Sequence, residues 1–136
     1  MNEKKKHIYI LIADMDDQFL TSSTLQESGI DASISFYQDP AELFDAIKKQ
    51  VPSLVILDQN LSPEPGLDIL KRVRSSEHYS AIPVVILTDS PLWHHHALCY
   101  KNGASTVIRK PGSIEMTRFK ITTFFEYWLK VAETQN

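Results

Sequence analysis

Short apolar runs alternate with longer, more polar segments along this chain, and this alternation constrains the fold more than any other feature. The apolar runs predict strands at residues 8–13, 30–37, 54–57, 84–87 and 106–108. Right-handed crossovers between parallel strands place the connecting helices on both faces of a sheet. The sequence therefore predicts an α/β fold, a doubly wound five-stranded parallel sheet with five helices.

The helix signals differ in strength along the chain. Residues 39–42 give the strongest start: a capping Asp, Pro at the first helical position, and Glu three residues after the cap. The first helix is predicted over 17–28, with Phe19, Leu20 and Leu25 facing inward. The other helices are predicted around residues 67–73, from 90–91 to 100, and from a capping Ser113 to about residue 131.

Length and charge limit the function classes. The 136 residues fit one domain, predicted over 8–131, with tails at 1–7 and 132–136 and no output domain. Fourteen basic and seventeen acidic residues give a formal charge of −3, which argues against a nucleic-acid partner. Any output is therefore expected to be contact with another protein.

The cysteine count and the N-terminal segment bear on location. A single cysteine, Cys99, cannot form an internal disulfide, so the chain implies no oxidising compartment. The apolar run at 8–13 is too short for a signal peptide or a membrane span. We expect a cytoplasmic protein without a membrane partner.

Polar residues collect where the predicted strands end. Asp14 and Asp16 follow the first strand, Asp58 the third, Thr88 the fourth and Lys110 the fifth. Ligand chemistry in open parallel sheets gathers at the carboxyl ends of the strands. Carboxylates hold hard divalent cations, and a lysine binds phosphoryl oxygens. The set suits phosphoryl transfer to a carboxylate nucleophile, which forms an acyl phosphate.

The same segments carry a family resemblance. In order and spacing, the chain resembles the CheY-like receiver domain of bacterial response regulators over about residues 8–129, which implies a flavodoxin-like fold. The segments that match are 10–14, 57–61 with 66–67, 83–88, 103–104 and 110–111.

The resemblance implies a role for each strand-end residue. Asp58 matches the phosphoacceptor. Mg²⁺ is implied at Asp14, Asp58 and the backbone carbonyl of Asn60. Thr88 matches the hydroxyl that moves onto the phosphoryl group as a switch, and Lys110 matches the lysine that binds this group.

Three departures from the family pattern stand beside these matches. Met15 occupies the place of a second acid, and a thioether is a poor ligand for magnesium. Asp89 occupies a position that is usually small, and our hypothesis is that Asp89 or Asp16 completes a weakened or rearranged metal site. Val107 replaces an aromatic residue that often reports the threonine movement. The family pattern also implies a cis peptide bond before Pro111.

These features predict a stand-alone response regulator of a two-component phosphorelay. A histidine kinase or phosphotransfer protein would phosphorylate Asp58, and the phosphoprotein would signal by contact with a downstream protein. We expect no enzyme activity beyond slow autodephosphorylation. The alternative is a degenerate receiver that binds partners without phosphorylation. A flavin protein or a phosphatase on the same fold is disfavoured, because no phosphate loop follows the first strand and no acid follows Asp58 two residues later.

Bulky side chains near the C-terminus predict a partner face. Trp93, Phe125 and Trp128 are predicted to contact another protein, with a homodimer through the last helix as one form. The alternative is that the last helix packs an extra turn back on the domain. The three histidines at 94–96 are consecutive, so on a helix they cannot share one face as metal ligands.

Overall fold

A computed structural model of the chain describes residues 6–12, 14–29, 31–110 and 114–131. The described strands are β1 (Lys6–Leu11), β2 (Ala32–Phe36), β3 (Leu54–Asp58), β4 (Val84–Thr88) and β5 (Thr106–Arg109). The helices are α1 (Met15–Ser28), α2 (Pro40–Lys49), α3 (Gly66–Ser75), α4 (Trp93–Lys101) and α5 (Ile114–Glu126), and a π-helical turn over Tyr127–Val131 follows α5.

The five strands form one parallel sheet in the order β2-β1-β3-β4-β5. This order confirms the predicted flavodoxin-like, doubly wound fold. The direction of winding reverses between β1 and β3, and Asp58 pairs with Leu87 at the end of β3. All the carboxyl ends therefore meet at one edge of the sheet, where crevices for ligands form in such folds.

Two apolar layers hold the helices on the sheet. On one face, α2, α3 and α4 contribute a cluster of fully buried side chains that includes Leu43, Ile47, Leu70, Val73 and Cys99. On the other face, α1 and α5 contribute Leu25 and Phe125, which pack over β1, β3 and β4. Each fully buried large aliphatic side chain contributes roughly 1.5–3 kcal/mol of transfer free energy. These layers fix the strand ends relative to one another.

The start of α2 follows the predicted capping signal. The Asp39 carboxylate accepts a hydrogen bond from the Glu42 backbone N–H at 2.9 Å, and the Glu42 carboxylate accepts one from the Gln38 N–H at 3.2 Å. Pro40 occupies the first turn, where its missing N–H costs nothing. The predicted start of α2 at a capping Asp39 is confirmed.

The inward face of α1 differs from the prediction. The helix begins at Met15, and Leu25 is buried as expected, but Phe19 is 73% exposed, so its predicted inward position is wrong. Thr21 and Thr24 are buried instead. Residues two apart on a helix point to nearly opposite sides. Phe19 therefore faces away once Thr21 faces inward.

The start of α4 also differs. The sequence signal at residues 90–91 predicts a helix start, but α4 begins at Trp93. The Ser90 hydroxyl accepts a hydrogen bond from the Leu92 N–H at 3.2 Å, which forms a short turn before the helix. The serine therefore stabilises the loop that precedes α4.

The last helix requires a correction to the predicted partner face. Phe125 is 2% exposed, so its assignment to that face is wrong. One face of this segment, with i, i+3, i+4, i+7 spacing, carries Ile121, Phe124, Phe125 and Trp128. These side chains belong to or pack against the apolar cluster that includes Leu25 of α1. Trp128 is half-buried there, which agrees with the alternative that this segment packs back on the domain.

Two further expectations lie outside the described residues. Ser113, the predicted helix cap, and Pro111, with its predicted cis bond, are both in the segment that the structure does not describe. Within the described part of the chain, the peptide bond before Pro63 is cis. No helix in that part is long and apolar enough to span a membrane.

Candidate functional site

Asp58 lies at the centre of the strand-end edge. It is the last residue of β3, and its side chain is 1% exposed. One carboxylate oxygen, Oδ2, lies 2.7 Å from the ammonium of Lys110, and the other, Oδ1, accepts the Asn60 backbone N–H at 2.9 Å. A buried carboxylate is costly unless it is paired. Lys110 and Asn60 supply that pairing.

Lys110 reaches Asp58 from the end of β5. Its backbone N–H donates to the Thr88 carbonyl at 2.8 Å, which extends the sheet ladder beyond the strand and aims the side chain across the edge. Burial alone would lower the pKa of Lys110, but the hydrogen bond and charge of Asp58, with the charges of Asp17 and Asp89, outweigh it and raise that pKa. Lys110 therefore stays cationic beside Asp58.

Asp17 is the functional residue that the sequence interpretation missed. An acid in the first turn of a helix is favourable for the helix dipole alone. In the structure, Asp17 Oδ2 also lies 3.4 Å from Lys110 Nζ, so one ammonium bridges Asp17 and Asp58. Asp17 lies about 200° around α1 from Met15, which is 69% exposed, so Asp17 faces the strand ends; the local sequence carries no signal for this orientation.

Asp14 has a local role in the structure. Its carboxylate caps α1 and accepts the backbone N–H groups of Asp16 at 2.7 Å and Asp17 at 3.2 Å. Asp14 is exposed, as is Asp16. Asp14, Asp17, Asp89 and Lys110 line one cavity of about 310 Å³, so of the predicted acids Asp14 and Asp89 share this cavity, while Asp16 and Asp58 are not among its lining residues.

Thr88 and Asp89 lie beside this cluster at the end of β4. Thr88 is 1% exposed, and its hydroxyl accepts the Ser90 backbone N–H at 3.1 Å. Asp89 is exposed and accepts a hydrogen bond from the Asn60 side-chain amide at 2.6 Å. Both side chains thus have partners in the loops that follow β3 and β4.

Gly66 explains how close α3 lies to the site. A Cβ on Gly66 would lie 2.7 Å from the Asp58 carbonyl oxygen, which is closer than real Cβ atoms approach backbone. Glycine therefore permits the first turn of α3 to pack against the end of β3. The Gln59 side chain supports the same turn by accepting the Leu67 N–H at 2.9 Å.

The described side chains do not assemble a magnesium site in this arrangement. Among them, no group of three or more His, Cys, Asp or Glu residues lies close enough to hold a metal ion. The two carboxylates that converge, Asp17 and Asp58, share the Lys110 ammonium. The hypothesis that Asp89 completes the metal site in place of the acid missing at Met15 stays a prediction. In this structure, the Asp89 carboxylate accepts a hydrogen bond from the Asn60 side chain.

The other predicted residues lie on α4 and β5. Trp93 is 69% exposed and stacks on His94 with ring centroids 3.9 Å apart. His95 lies against Cys99, and His96 Nε2 lies 2.9 Å from the Ser90 carbonyl, so the three histidines contact three different partners. The Val107 backbone N–H donates to the Tyr100 hydroxyl at 3.0 Å, which connects α4 to the edge strand β5.

The chain matches the sequence model of the response regulator receiver domain over residues 10–121. It therefore belongs to the response regulator receiver family, the signalling module of two-component systems. The buried strand-end aspartate paired with a lysine occupies the positions that the family pattern implied.

Individual relatives agree with this assignment. The chain is 27% identical over 129 residues to the probable methanogenesis regulatory protein FilR2 of Methanothrix harundinacea, which spans 90% of this chain and 83% of that protein. Two other curated relatives are longer, since the matched segment covers 51% of one and 39% of the other.

Two solved structures are similar in fold. The phosphorylated cyanobacterial phytochrome response regulator RcpA matches with a TM-score of 0.88 and 21% identity, over 98% of this chain and all of that chain. The Mn²⁺-bound form of the response regulator Rcp1 matches with a TM-score of 0.87 and 21% identity, over 96% and 99% of the two chains.

Proposed function

We propose that this chain is a phospho-accepting response regulator in which Asp58 receives a phosphoryl group from a histidine kinase or phosphotransfer protein. The observation that carries the proposal is the buried Asp58 carboxylate held 2.7 Å from the Lys110 ammonium at the carboxyl edge of the sheet. Lys110 also lines the cavity at this edge with Asp14, Asp17 and Asp89, so the Asp58–Lys110 pair adjoins a cleft lined by further charged groups.

The transfer breaks one bond and forms another. The P–N bond of the donor phosphohistidine breaks as an Asp58 carboxylate oxygen forms the new P–O bond, and the released imidazole nitrogen takes a proton from solvent. The Lys110 ammonium lies where negative charge grows on the phosphoryl oxygens, and it stabilises that charge. The Thr88 hydroxyl, which accepts the Ser90 N–H in this structure, then moves away from Ser90 and donates its own hydrogen to a phosphoryl oxygen.

How strongly phosphorylation depends on Mg²⁺ follows from the oxygen ligands that the site offers to the ion. Receiver domains generally bind Mg²⁺, and Rcp1 has been crystallised with Mn²⁺. Met15 stands where a second carboxylate ligand is expected, so we assign part of the charge stabilisation to Lys110 and expect a weakened dependence on magnesium. Phosphorylation measured with and without magnesium tests this expectation.

The output that we propose is protein contact. The face of α4 that carries Trp93 changes its affinity for a downstream protein or a second copy of the chain when Asp58 is phosphorylated. The chain then works in the cytoplasm as a signalling protein, whose hydrolysis of its own acyl phosphate is slow and serves timing. Its formal charge of −3 disfavours nucleic acid as the partner.

Intact mass spectrometry tests the acceptor. We expect the purified chain to gain the mass of one phosphoryl group on incubation with phosphoramidate and magnesium, and Asp58→Asn to gain none. Asp45→Asn, which removes an exposed carboxylate from α2, is the matched control and should behave as the wild type. Equal uptake by Asp58→Asn, or no uptake by the wild type, would contradict the proposal.

A degenerate receiver is the second candidate. Met15, in place of a second acid, is 69% exposed, and both Asp58 oxygens already have partners. Such a chain would bind its partner in one fixed state. A wild type that takes up no phosphoryl group, together with a Met15→Asp variant that does, would favour this candidate over the first.

A further inference from the structure

One side-chain contact joins the loop after β3 to the loop after β4 across the mouth of the site. The Asn60 amide Nδ2 donates to Asp89 Oδ2 at 2.6 Å. Both residues are exposed, and a hydrogen bond between exposed groups normally contributes little because water competes for both partners. This contact matters because Asn60 also contacts Asp58, and because Asp89 directly follows Thr88.

The Asn60 end is attached to the acceptor. The Asn60 backbone N–H donates to Asp58 Oδ1 at 2.9 Å, so one residue contacts Asp58 with its backbone and Asp89 with its side chain. A phosphoryl group on Asp58 therefore forms next to the Asn60 backbone N–H and alters the contacts of the residue that also holds Asp89.

The Asp89 end is attached to the switch hydroxyl. Asp89 lies between Thr88 and Ser90, whose N–H donates to the Thr88 hydroxyl at 3.1 Å. The Ser90 carbonyl lies 2.9 Å from His96 Nε2 on α4. While Asp89 is held by Asn60, the segment 88–90 keeps the Thr88 hydroxyl engaged with its own loop.

The charge of Asp89 opposes the incoming group. A phosphoryl group brings about −1.5 to −2 charges at neutral pH, and Asp89 adds one more negative charge at the same mouth. The field of Asp89 reaches the site, since it is one of the charges that raise the pKa of Lys110. The like charge of Asp89 at this edge therefore opposes acceptance of a phosphoryl group by Asp58.

We propose that the Asn60–Asp89 hydrogen bond is a latch that holds the loop 88–90 in its unphosphorylated position, so that Asp89 is a positioning residue that slows phosphoryl acceptance by Asp58. The rate part of this proposal rests on the proposed function of Asp58. The latch itself is a property of the unphosphorylated protein and is tested there independently.

The rate test is a double-mutant cycle. Phosphorylation by phosphoramidate is timed by intact mass for the wild type, Asp89→Ala, Asn60→Ala and the double variant, with Asp45→Ala as the charge-matched control. Losing one such hydrogen bond is expected to raise the rate about two- to tenfold. The double variant should gain no more than the faster single variant, because both substitutions remove the same contact. Unchanged rates or fully additive gains would overturn the rate role.

Amide hydrogen exchange of Ser90 in the unphosphorylated protein tests the latch directly. Asp89→Ala and Asn60→Ala should each speed exchange of the Ser90 N–H severalfold, and Asp45→Ala should leave it unchanged. Unaltered Ser90 exchange in both variants would overturn the latch. If no variant takes up a phosphoryl group, the proposed function of Asp58 fails, and Ser90 exchange still decides the latch.

Discussion

At the scale of single residues, the Lys110 ammonium is the charge that pairs with the carboxylates of Asp17 and Asp58. Asp58, Thr88 and Lys110 could be predicted from the sequence, because each follows a recognisable strand and the strand ends converge. Asp17 could not, since its contact with Lys110 depends on which way the first turn of α1 faces. The Asp14 cap and the packing of the rest of α1 set that orientation. The residues next to Asp17 in the sequence do not reveal it.

Replacing Lys110 tests this pairing. We expect Lys110→Met to lower the free energy of unfolding at pH 7 by about 1–3 kcal/mol, because it leaves the buried Asp58 carboxylate without its cation. Adding Asp58→Asn should recover much of the loss by removing the uncompensated charge. Urea unfolding measures both, with Lys48→Met on the exposed side of α2 as control. Equal stability of Lys110→Met and Lys48→Met would contradict the pairing.

At the scale of elements, a helix start with a full capping signal was easier to predict than a helix face. The start of α2 followed from Asp39, Pro40 and Glu42, because capping is a local interaction. Which faces of α1 and α5 are buried depends on how these helices pack in the folded domain. α1 buries threonines where the sequence offers Phe19, and α5 carries large apolar residues on more than one face.

Two phenylalanines on α5, one buried and one exposed, test which face of this helix packs against the domain. Phe125 is 2% exposed and Phe119 is 64% exposed. We expect Phe125→Ala to lower the free energy of unfolding by about 3–5 kcal/mol, since it empties a buried site. Phe119→Ala should change it by less than about 0.5 kcal/mol. Chemical denaturation distinguishes them, and similar losses in both variants would show that the α5 face is assigned wrongly.

At the scale of the whole molecule, the alternation of strands and helices determines where the chemistry lies. The doubly wound sheet brings residues from four separate segments to one edge, and this convergence was predictable from the alternation of strands and helices, which makes the strands parallel. The loop contacts across that edge were not, because the bond between Asn60 and Asp89 joins two segments with no local sequence signal. The receiver fold thus supplies the general site, and the particular loops adjust it.

The central claim is that Asp58 is the residue that carries the phosphoryl group. Borohydride reduces an aspartyl phosphate to homoserine, so treating the phosphodonor-incubated chain with borohydride and sequencing its peptides by mass spectrometry identifies the modified residue. The account predicts homoserine at position 58 in the wild type and none in a sample without phosphodonor. Homoserine at another aspartate, such as Asp17 or Asp89, or an unmodified Asp58 would contradict it.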